Sequence, residues 1–181
     1  MKTKITWVLC TITVIVLLLI YNCNQQNVLN EVTLPFKAEC IGEYKYMGPD
    51  TLQESKCSGS LSKWRAIVDA KGNSNPLGNI KVHFDFCGDS LSNYGNLFAY
   101  IIDKDGDTLF IDGSGHVYEG RLDEHPEYVT SYWRDTIRFI GGTGKFNGAK
   151  GFIISDDYNS SKDVFSHHHW TGNIILLKNN K

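Results

Sequence analysis

Two titratable residues, Asp135 and His168, fall on faces of predicted strands that are otherwise apolar. In the run after Glu127, one face reads Val129, Ser131, Trp133, Asp135, Ile137, Phe139. In the last run of the chain, one face reads Val164, Ser166, His168, Trp170, Gly172, Ile174, Leu176. Buried titratable groups must be paired or hydrogen-bonded, and inside a cavity they are candidates for a functional site. Three roles for Asp135 and His168 stay open. They are a hydrogen-bonded pair that stabilises the barrel, solvated residues at its rim, or groups that bind a ligand.

Aromatic residues share these predicted inner faces. The candidate cavity residues are therefore Asp135, His168, Trp64, Trp133, Trp170 and Tyr44. Aromatic side chains most often pack a core. A small barrel can nevertheless hold one small ligand among its interior side chains, so packing and ligand binding both stay open.

Two stretches resemble parts of metal sites but lack the rest. Residues 103–107 read Asp-Lys-Asp-Gly-Asp, which is how a calcium loop begins, but Thr108 and Ser114 replace its later glycine and glutamate. Asp-Gly is also typical of a hairpin turn. Residues 167–169 are three histidines, and alternation along a strand turns the middle one away from its neighbours. We predict no metal site and no cofactor.

No catalytic motif is recognised in the chain. The Gly-Lys pair at residues 144–145 lacks the first glycine and the final Ser or Thr of a phosphate loop, and no helix is predicted after it. We find no nucleophile elbow, no ordered Ser-His-Asp set and no paired acid and base carboxylates. Whether the protein is an enzyme stays open, because positioning alone can supply much of catalysis.

Strands are the elements that must position these residues. Alternation and turn signals predict strands over 36–47, 61–70, 80–87, 97–103, 108–112, 116–120, 127–140, 151–155 and 164–177, with a polar turn region at 156–163. No amphipathic helix and no internal repeat is found. Short strands joined by turns predict an all-β barrel or sandwich.

A glycine-rich segment, residues 139–151, lies between two of these strands. Its glycines are Gly141, Gly142, Gly144, Gly148 and Gly151. Glycine tolerates positive φ and close backbone approach, so the segment predicts a tight corner between antiparallel strands.

The corner also carries a resemblance. Gly-Gly-Thr-Gly-Lys-Phe-Asn-Gly-Ala-Lys-Gly at 141–151 resembles the corner sequence of allene oxide cyclases, dirigent proteins and uncharacterised bacterial secreted proteins. Residues 105–115 resemble the strand and turn upstream of that corner. The resemblance implies a single antiparallel eight-stranded β-barrel. The plant relatives steer a reactive intermediate without a cofactor and assemble as trimers, so it also implies a possible homo-oligomer; none of their catalytic residues can be matched.

Length and composition fit one β domain. The 181 residues are 12% aromatic and carry a net charge of −2. No basic stripe is present, so we predict no nucleic-acid partner.

The N-terminal residues are typical of an export signal. Lys2 and Lys4 precede an uncharged apolar run, so residues 1–23 are predicted as a signal peptide or an uncleaved signal anchor. Cys23 stands where a bacterial lipoprotein carries its lipid, although the two residues before it are not small. Residues 24–35 are then a tether and 36–178 the barrel domain. This pattern predicts an exported protein of the cell envelope, attached to the membrane by lipid or signal anchor.

Three cysteines lie beyond Cys23, namely Cys40, Cys57 and Cys87. An oxidising compartment favours one disulfide among them with one thiol left free, and all three pairings stay open. The function predicted for the whole chain is an exported barrel that binds a small apolar or aromatic molecule or mediates envelope contacts. A cofactor-free cyclase or dirigent-like protein and a purely structural barrel are the alternatives.

Overall fold

β-strands form most of the regular structure in residues 29–51 and 56–179, the parts of the chain that the computed structural model describes. The predicted signal segment with Cys23, and the first part of the predicted tether, lie outside these residues. Short 3-10 helices occur at Gly59–Leu61 and Gly144–Phe146. No helix within the described ranges is long and apolar enough to cross a membrane.

The described part of the chain contains twelve strands. In chain order they are β1 (Leu29–Gly48), β2 (Trp64–Asn75), β3 (Gly78–Gly88), β4 (Asn93–Ile102), β5 (Thr108–Asp112), β6 (Gly115–His116), β7 (Tyr118–Glu119), β8 (Val129–Trp133), β9 (Thr136–Gly142), β10 (Lys150–Ser155), β11 (Asp157–Ser160) and β12 (Ser166–Asn179).

Eight of these strands close into an antiparallel barrel, as predicted. Their order is β1-β2-β3-β4-β5-β9-β10-β12, and pairing between β12 and β1 closes the circle. Beyond the barrel, β11, β8 and β7 extend the sheet from β12, and β6 pairs with β4. Closure leaves the barrel without free edges and places alternate side chains of each strand in one interior.

Several predicted strand limits are wrong. β1 begins at Leu29 instead of residue 36 and so includes part of the predicted tether, and the predicted polar turn region 156–163 contains β11. The strand predicted over 127–140 is two strands, β8 and β9, with Asp135 in the break between them. At this break Ser155 Oγ accepts the Asp135 amide hydrogen at 2.9 Å, so a side chain replaces one step of the backbone ladder.

The glycine-rich segment is a corner between β9 and β10, as predicted. Positive φ occurs at Gly141, Gly144, Gly148 and Gly151. A Cβ on Gly142 would lie 2.1 Å from the Thr108 carbonyl oxygen, so this corner needs glycine for close approach as well.

The corner packs on the turn between β4 and β5, which joins the two stretches that carry the family resemblance. Thr108 donates its amide hydrogen to Thr143 Oγ1 at 2.9 Å, and Lys145 Nζ donates to Asp105 at 2.8 Å. Lys145 also pairs with the buried carboxylate of Asp103. A lysine ammonium therefore neutralises the acidic turn that resembles the start of a calcium loop.

The apolar core fills much of the barrel interior. Phe36 and Phe139 pack edge to face with ring centres 5.0 Å apart. The other fully buried large side chains include Ile101, Leu109, Ile111, Phe146, Ile153, Trp170 and Ile174. Except for Phe146, which lies in the second 3-10 helix, these residues come from alternate positions of the barrel strands, which is the pattern that predicts them.

A disulfide joins Cys57, in the loop after β1, to Cys87, near the end of β3. Cys40 remains a free thiol inside the barrel. The structure thus selects one of the three pairings that the sequence leaves open.

The Cys40 thiol is expected to be unreactive in the folded protein. Burial, followed by the negative charge of Asp157, raises its pKa from 9.0 to about 12. Only the thiolate is nucleophilic, so alkylation by iodoacetamide should be on the order of 100-fold slower in buffer than in urea. Alkylation at equal rates in both solvents would contradict this burial.

Candidate functional site

A cavity of about 260 Å³ is bounded by strands of the barrel together with β7, β8 and β11, and it is lined mainly by aromatic and aliphatic side chains. Its walls include the following residues: Tyr44, Trp64, Val68, Phe84, Phe86, Tyr94, Leu97, Trp133 and His168. Met47 and Glu119 also border it, and both are exposed, which marks the side where the cavity opens.

Four of the six candidate cavity residues line this space. They are Tyr44, Trp64, Trp133 and His168. Trp170 instead belongs to the apolar core, with 1% of its surface exposed. Asp135 lies at the break between β8 and β9 and does not border the cavity.

Asp157 is the acidic group at the centre of the site, and the sequence analysis missed it. The residue is 2% exposed. Its Oδ2 accepts hydrogen bonds from His168 Nδ1 at 2.8 Å and from the indoles of Trp133 and Trp170, both at 3.1 Å. Its Oδ1 accepts the amide hydrogen of His169 at 2.9 Å. A carboxylate with four donors is well satisfied without a counter-ion from solvent.

His168 therefore pairs with Asp157, and a pair between His168 and Asp135, one of the alternatives that the sequence leaves open, is not formed. Tyr158 on β11 pairs with His167 on β12, and Ser155 on β10 pairs with Trp170 on β12. The two pairings have the same register, which places Asp157 opposite His168. The other ring nitrogen, Nε2, lies 2.9 Å from Ser166 Oγ. Asp157, His168 and Ser166 thus form one hydrogen-bonded chain, and all three border the cavity.

A glycine on β1 makes room for this chain. A Cβ on Gly42 would lie 2.4 Å from Ser166 Oγ and 2.9 Å from His168 Nε2. The Gly42 carbonyl oxygen is 3.4 Å from Ser166 Oγ and is a second acceptor for that hydroxyl. The space around Ser166 and His168 therefore depends on a missing side chain.

A second polar group lies next to Ser166. The Tyr44 hydroxyl donates to Asn159 Oδ1 at 3.1 Å, and Asn159 Nδ2 donates to Ser131 Oγ at 3.0 Å. Burial raises the pKa of Tyr44, against the effect of its hydrogen bonds with Asn159 and Ser166. Tyr44 is therefore a protonated phenol that can donate a hydrogen bond inside the cavity.

Asp135 has a different partner. Its Oδ2 accepts a hydrogen bond from the Tyr94 hydroxyl at 2.7 Å, and its carboxylate fills the space over Gly115. Burial raises the pKa of Asp135 in spite of this hydrogen bond, and burial together with the Asp135 charge raises the pKa of Tyr94. The pair closes the gap where β8 and β9 separate.

Stability should depend on the ionisation of Asp135. A carboxyl with a raised folded-state pKa binds more protons in the folded than in the unfolded protein, so the free energy of unfolding falls as pH rises from 3.8 through the folded-state value. Asp135→Asn keeps an acceptor for Tyr94 and should reduce this slope. Urea unfolding at a series of pH values measures it, and a variant with an unchanged slope would contradict the assignment.

The three consecutive histidines separate as predicted. His168 points into the barrel, while His167 and His169 lie on the outside. His167 stacks on Tyr158 with ring centres 4.7 Å apart and lies 3.2 Å from the Asp163 carboxylate. Within residues 29–51 and 56–179 no group of three or more His, Cys, Asp or Glu side chains could hold a metal ion.

Comparison of the chain with protein-family models, with curated proteins and with solved structures finds no match.

Proposed function

We propose that the barrel binds one small aromatic or otherwise apolar molecule in its cavity. The observation that carries this proposal is an aromatic-walled space of about 260 Å³ with a hydrogen-bonded polar wall on one side. Mostly apolar walls with a few convergent polar groups are typical of small-molecule sites.

The size of the cavity limits the ligand. An engineered apolar cavity of about 150 Å³ admits benzene, and pockets for drug-sized ligands begin at roughly 300 Å³. A molecule of one or two fused rings therefore fits. A purely structural barrel would be expected to fill its interior, because protein cores leave few voids larger than a water molecule.

The polar wall would orient the ligand. Ser166 and Tyr44 each carry a hydroxyl at the cavity surface, and Ser131 adds a third. Trp133 contributes a ring face, while its indole nitrogen is engaged by Asp157. The preferred ligand is therefore an aromatic molecule with one hydrogen-bonding substituent at its edge.

Export is part of the same proposal. Residues 1–23, with Lys2 and Lys4 before an apolar run, support export to the cell envelope and anchoring by a lipid on Cys23 or by the signal segment itself. Membership of the group of allene oxide cyclase-like barrels, and assembly into a homo-oligomer, are proposed from the two resembling stretches.

Calorimetric titration with 2-naphthol tests the binding proposal. We expect one site per barrel in the native chain. Val117→Trp adds bulk at a half-buried wall residue and should weaken binding at least about tenfold through a steric clash. Tyr118→Trp is the matched control, because this neighbouring side chain is exposed and does not line the cavity. No binding to the native chain, or equal binding to both variants, would overturn the proposal.

A further inference from the structure

We propose that Ser166 is the nucleophile of an acyl-transfer site, which hydrolyses small esters with an aromatic or apolar group held in the cavity. This inference rests on the proposed binding function and adds a reaction to it. It is carried by the hydrogen-bonded chain from Asp157 through His168 to Ser166, which matches no known sequence motif.

The distances are those of an activated nucleophile. Ser166 Oγ lies 2.9 Å from His168 Nε2, and His168 Nδ1 lies 2.8 Å from Asp157 Oδ2. A nucleophile within hydrogen-bonding reach of a base, with the base oriented by a third group, identifies such a site by geometry, whatever the order of the residues in the chain.

The hydrogen bonds define the proton positions. A carboxylate only accepts hydrogen bonds, so Asp157 requires the proton of neutral His168 to be on Nδ1. Nε2 is then left with a lone pair facing the Ser166 hydroxyl. Stacking of Phe84 on the imidazole, with ring centres 5.1 Å apart, holds the ring in this orientation.

Tyr44 can supply a hydrogen bond to the developing oxyanion when its hydroxyl turns away from Asn159. The Tyr44 hydroxyl lies at the cavity wall, interacts with Ser166 and donates its one hydrogen to Asn159 Oδ1 at 3.1 Å in the free protein. A donor directed at the place where negative charge develops lowers the barrier to acyl transfer. When a substrate carbonyl group lies over Ser166, its apolar substituent would pack against the aromatic walls of the cavity.

The reaction balances with water as the only co-reactant. Ser166 Oγ attacks the ester carbonyl carbon while its proton passes to His168 Nε2. The C–O bond of the ester breaks, and the departing alkoxide takes that proton and leaves as an alcohol. A water molecule, deprotonated by His168, then attacks the acyl-serine, which releases the carboxylic acid and restores the Ser166 hydroxyl.

Phenylmethanesulfonyl fluoride provides the first test on the full chain. Ser166 Oγ attacks sulfur while its proton passes to His168 Nε2, an O–S bond forms, the S–F bond breaks, and fluoride leaves. We expect one adduct by intact mass and its location on Ser166 by peptide mapping. Ser166→Ala should give no adduct, whereas Ser62→Ala, which removes an exposed hydroxyl outside the cavity, should react at the native rate. A native chain without adduct, or an adduct on another residue, would overturn the proposal.

Hydrolysis of p-nitrophenyl acetate tests the other two residues. His168→Gln should lower kcat by at least about 100-fold, because the base is lost. Asp157 acts through His168 as a positioning residue. Asp157→Asn should therefore lower kcat by roughly 100-fold or more and leave KM within about twofold. A KM that rises with kcat unchanged would assign Asp157 a structural role alone and contradict its action through His168.

Titration of the same preparations with 2-naphthol separates the two proposals. Binding of 2-naphthol without any sulfonyl adduct on Ser166 would overturn the acyl-transfer site and leave the binding function standing. Absence of both would overturn both. Ser166→Ala should still bind 2-naphthol, with an affinity about 2–10-fold weaker than the native one, since it loses one polar contact and keeps the apolar walls.

Discussion

Asp157→Ala should lower the free energy of unfolding by about 3–5 kcal/mol, because it leaves several buried donors without an acceptor. The donors are the His168 ring, the Trp133 and Trp170 indoles and the His169 amide. They come from β8 and β12, which the single carboxylate on β11 connects. Urea unfolding followed by tryptophan fluorescence measures the change.

Asp112→Ala is the matched control for this variant. Asp112 is also an aspartate on a strand, but it pairs with Arg138 at the surface. Surface ion pairs contribute about 0–1 kcal/mol, so little change is expected. Equal destabilisation by both substitutions would contradict the central place of Asp157.

Arg65→Met should destabilise the barrel by a similar amount, about 3–5 kcal/mol, because it removes the guanidinium that holds two buried carboxylates and leaves Asp85 with the weaker Lys56 contact at 3.5 Å. Arg65 is 9% exposed at its side chain. It donates to both carboxylate oxygens of Asp85, at 2.7 and 2.6 Å, and to Asp50 at 3.2 Å. Asp50 in turn accepts the amide hydrogens of Lys56 and Cys57, both at 2.9 Å. Arg65 thus holds the loop that carries the disulfide.

The pH dependence of stability gives this prediction a second readout. Burial opposes ionisation of Asp85, but the hydrogen bonds from Arg65 and the charge of Lys56 lower its pKa below the ordinary 3.8. A lowered carboxyl pKa stabilises the fold above that value, and the contribution is lost as pH falls through the folded-state value. Arg65→Met should weaken this acid dependence, whereas the exposed Arg138→Met should not. If the free energy of unfolding falls equally at acidic pH in Arg65→Met and in the native protein, Arg65 is not the group that lowers the pKa of Asp85.

The barrel itself was predictable because its signals are local. Alternation along residues 80–87 produces β3, and the glycines of residues 139–151 produce the corner. The break at Asp135 was not predictable, because the apolar alternation continues through it. It depends on Tyr94 and on Ser155, which are distant in sequence and meet Asp135 only in the closed barrel.

The site residues also divide into those that local sequence patterns predict and those that depend on partners distant in sequence. Alternation alone identified Trp133 and His168 as inward-facing residues of their strands. It could not distinguish Asp157 from Asp156, since two adjacent aspartates in a polar stretch carry no signal of facing. The register of β11 on β12 turns Asp157 towards His168, while Asp156 pairs with Arg134 at the surface. Partners across strands depend on register, which a single sequence specifies weakly.

Native mass spectrometry of the full chain, purified without denaturation and sprayed with and without 2-naphthol, tests the binding cavity most directly. We predict one copy of the probe on each folded barrel, displaced by substitution of Val117 with tryptophan and retained when Tyr118 is replaced in the same way. A spectrum that shows only the mass of the protein, with excess probe present, would contradict a ligand-binding barrel.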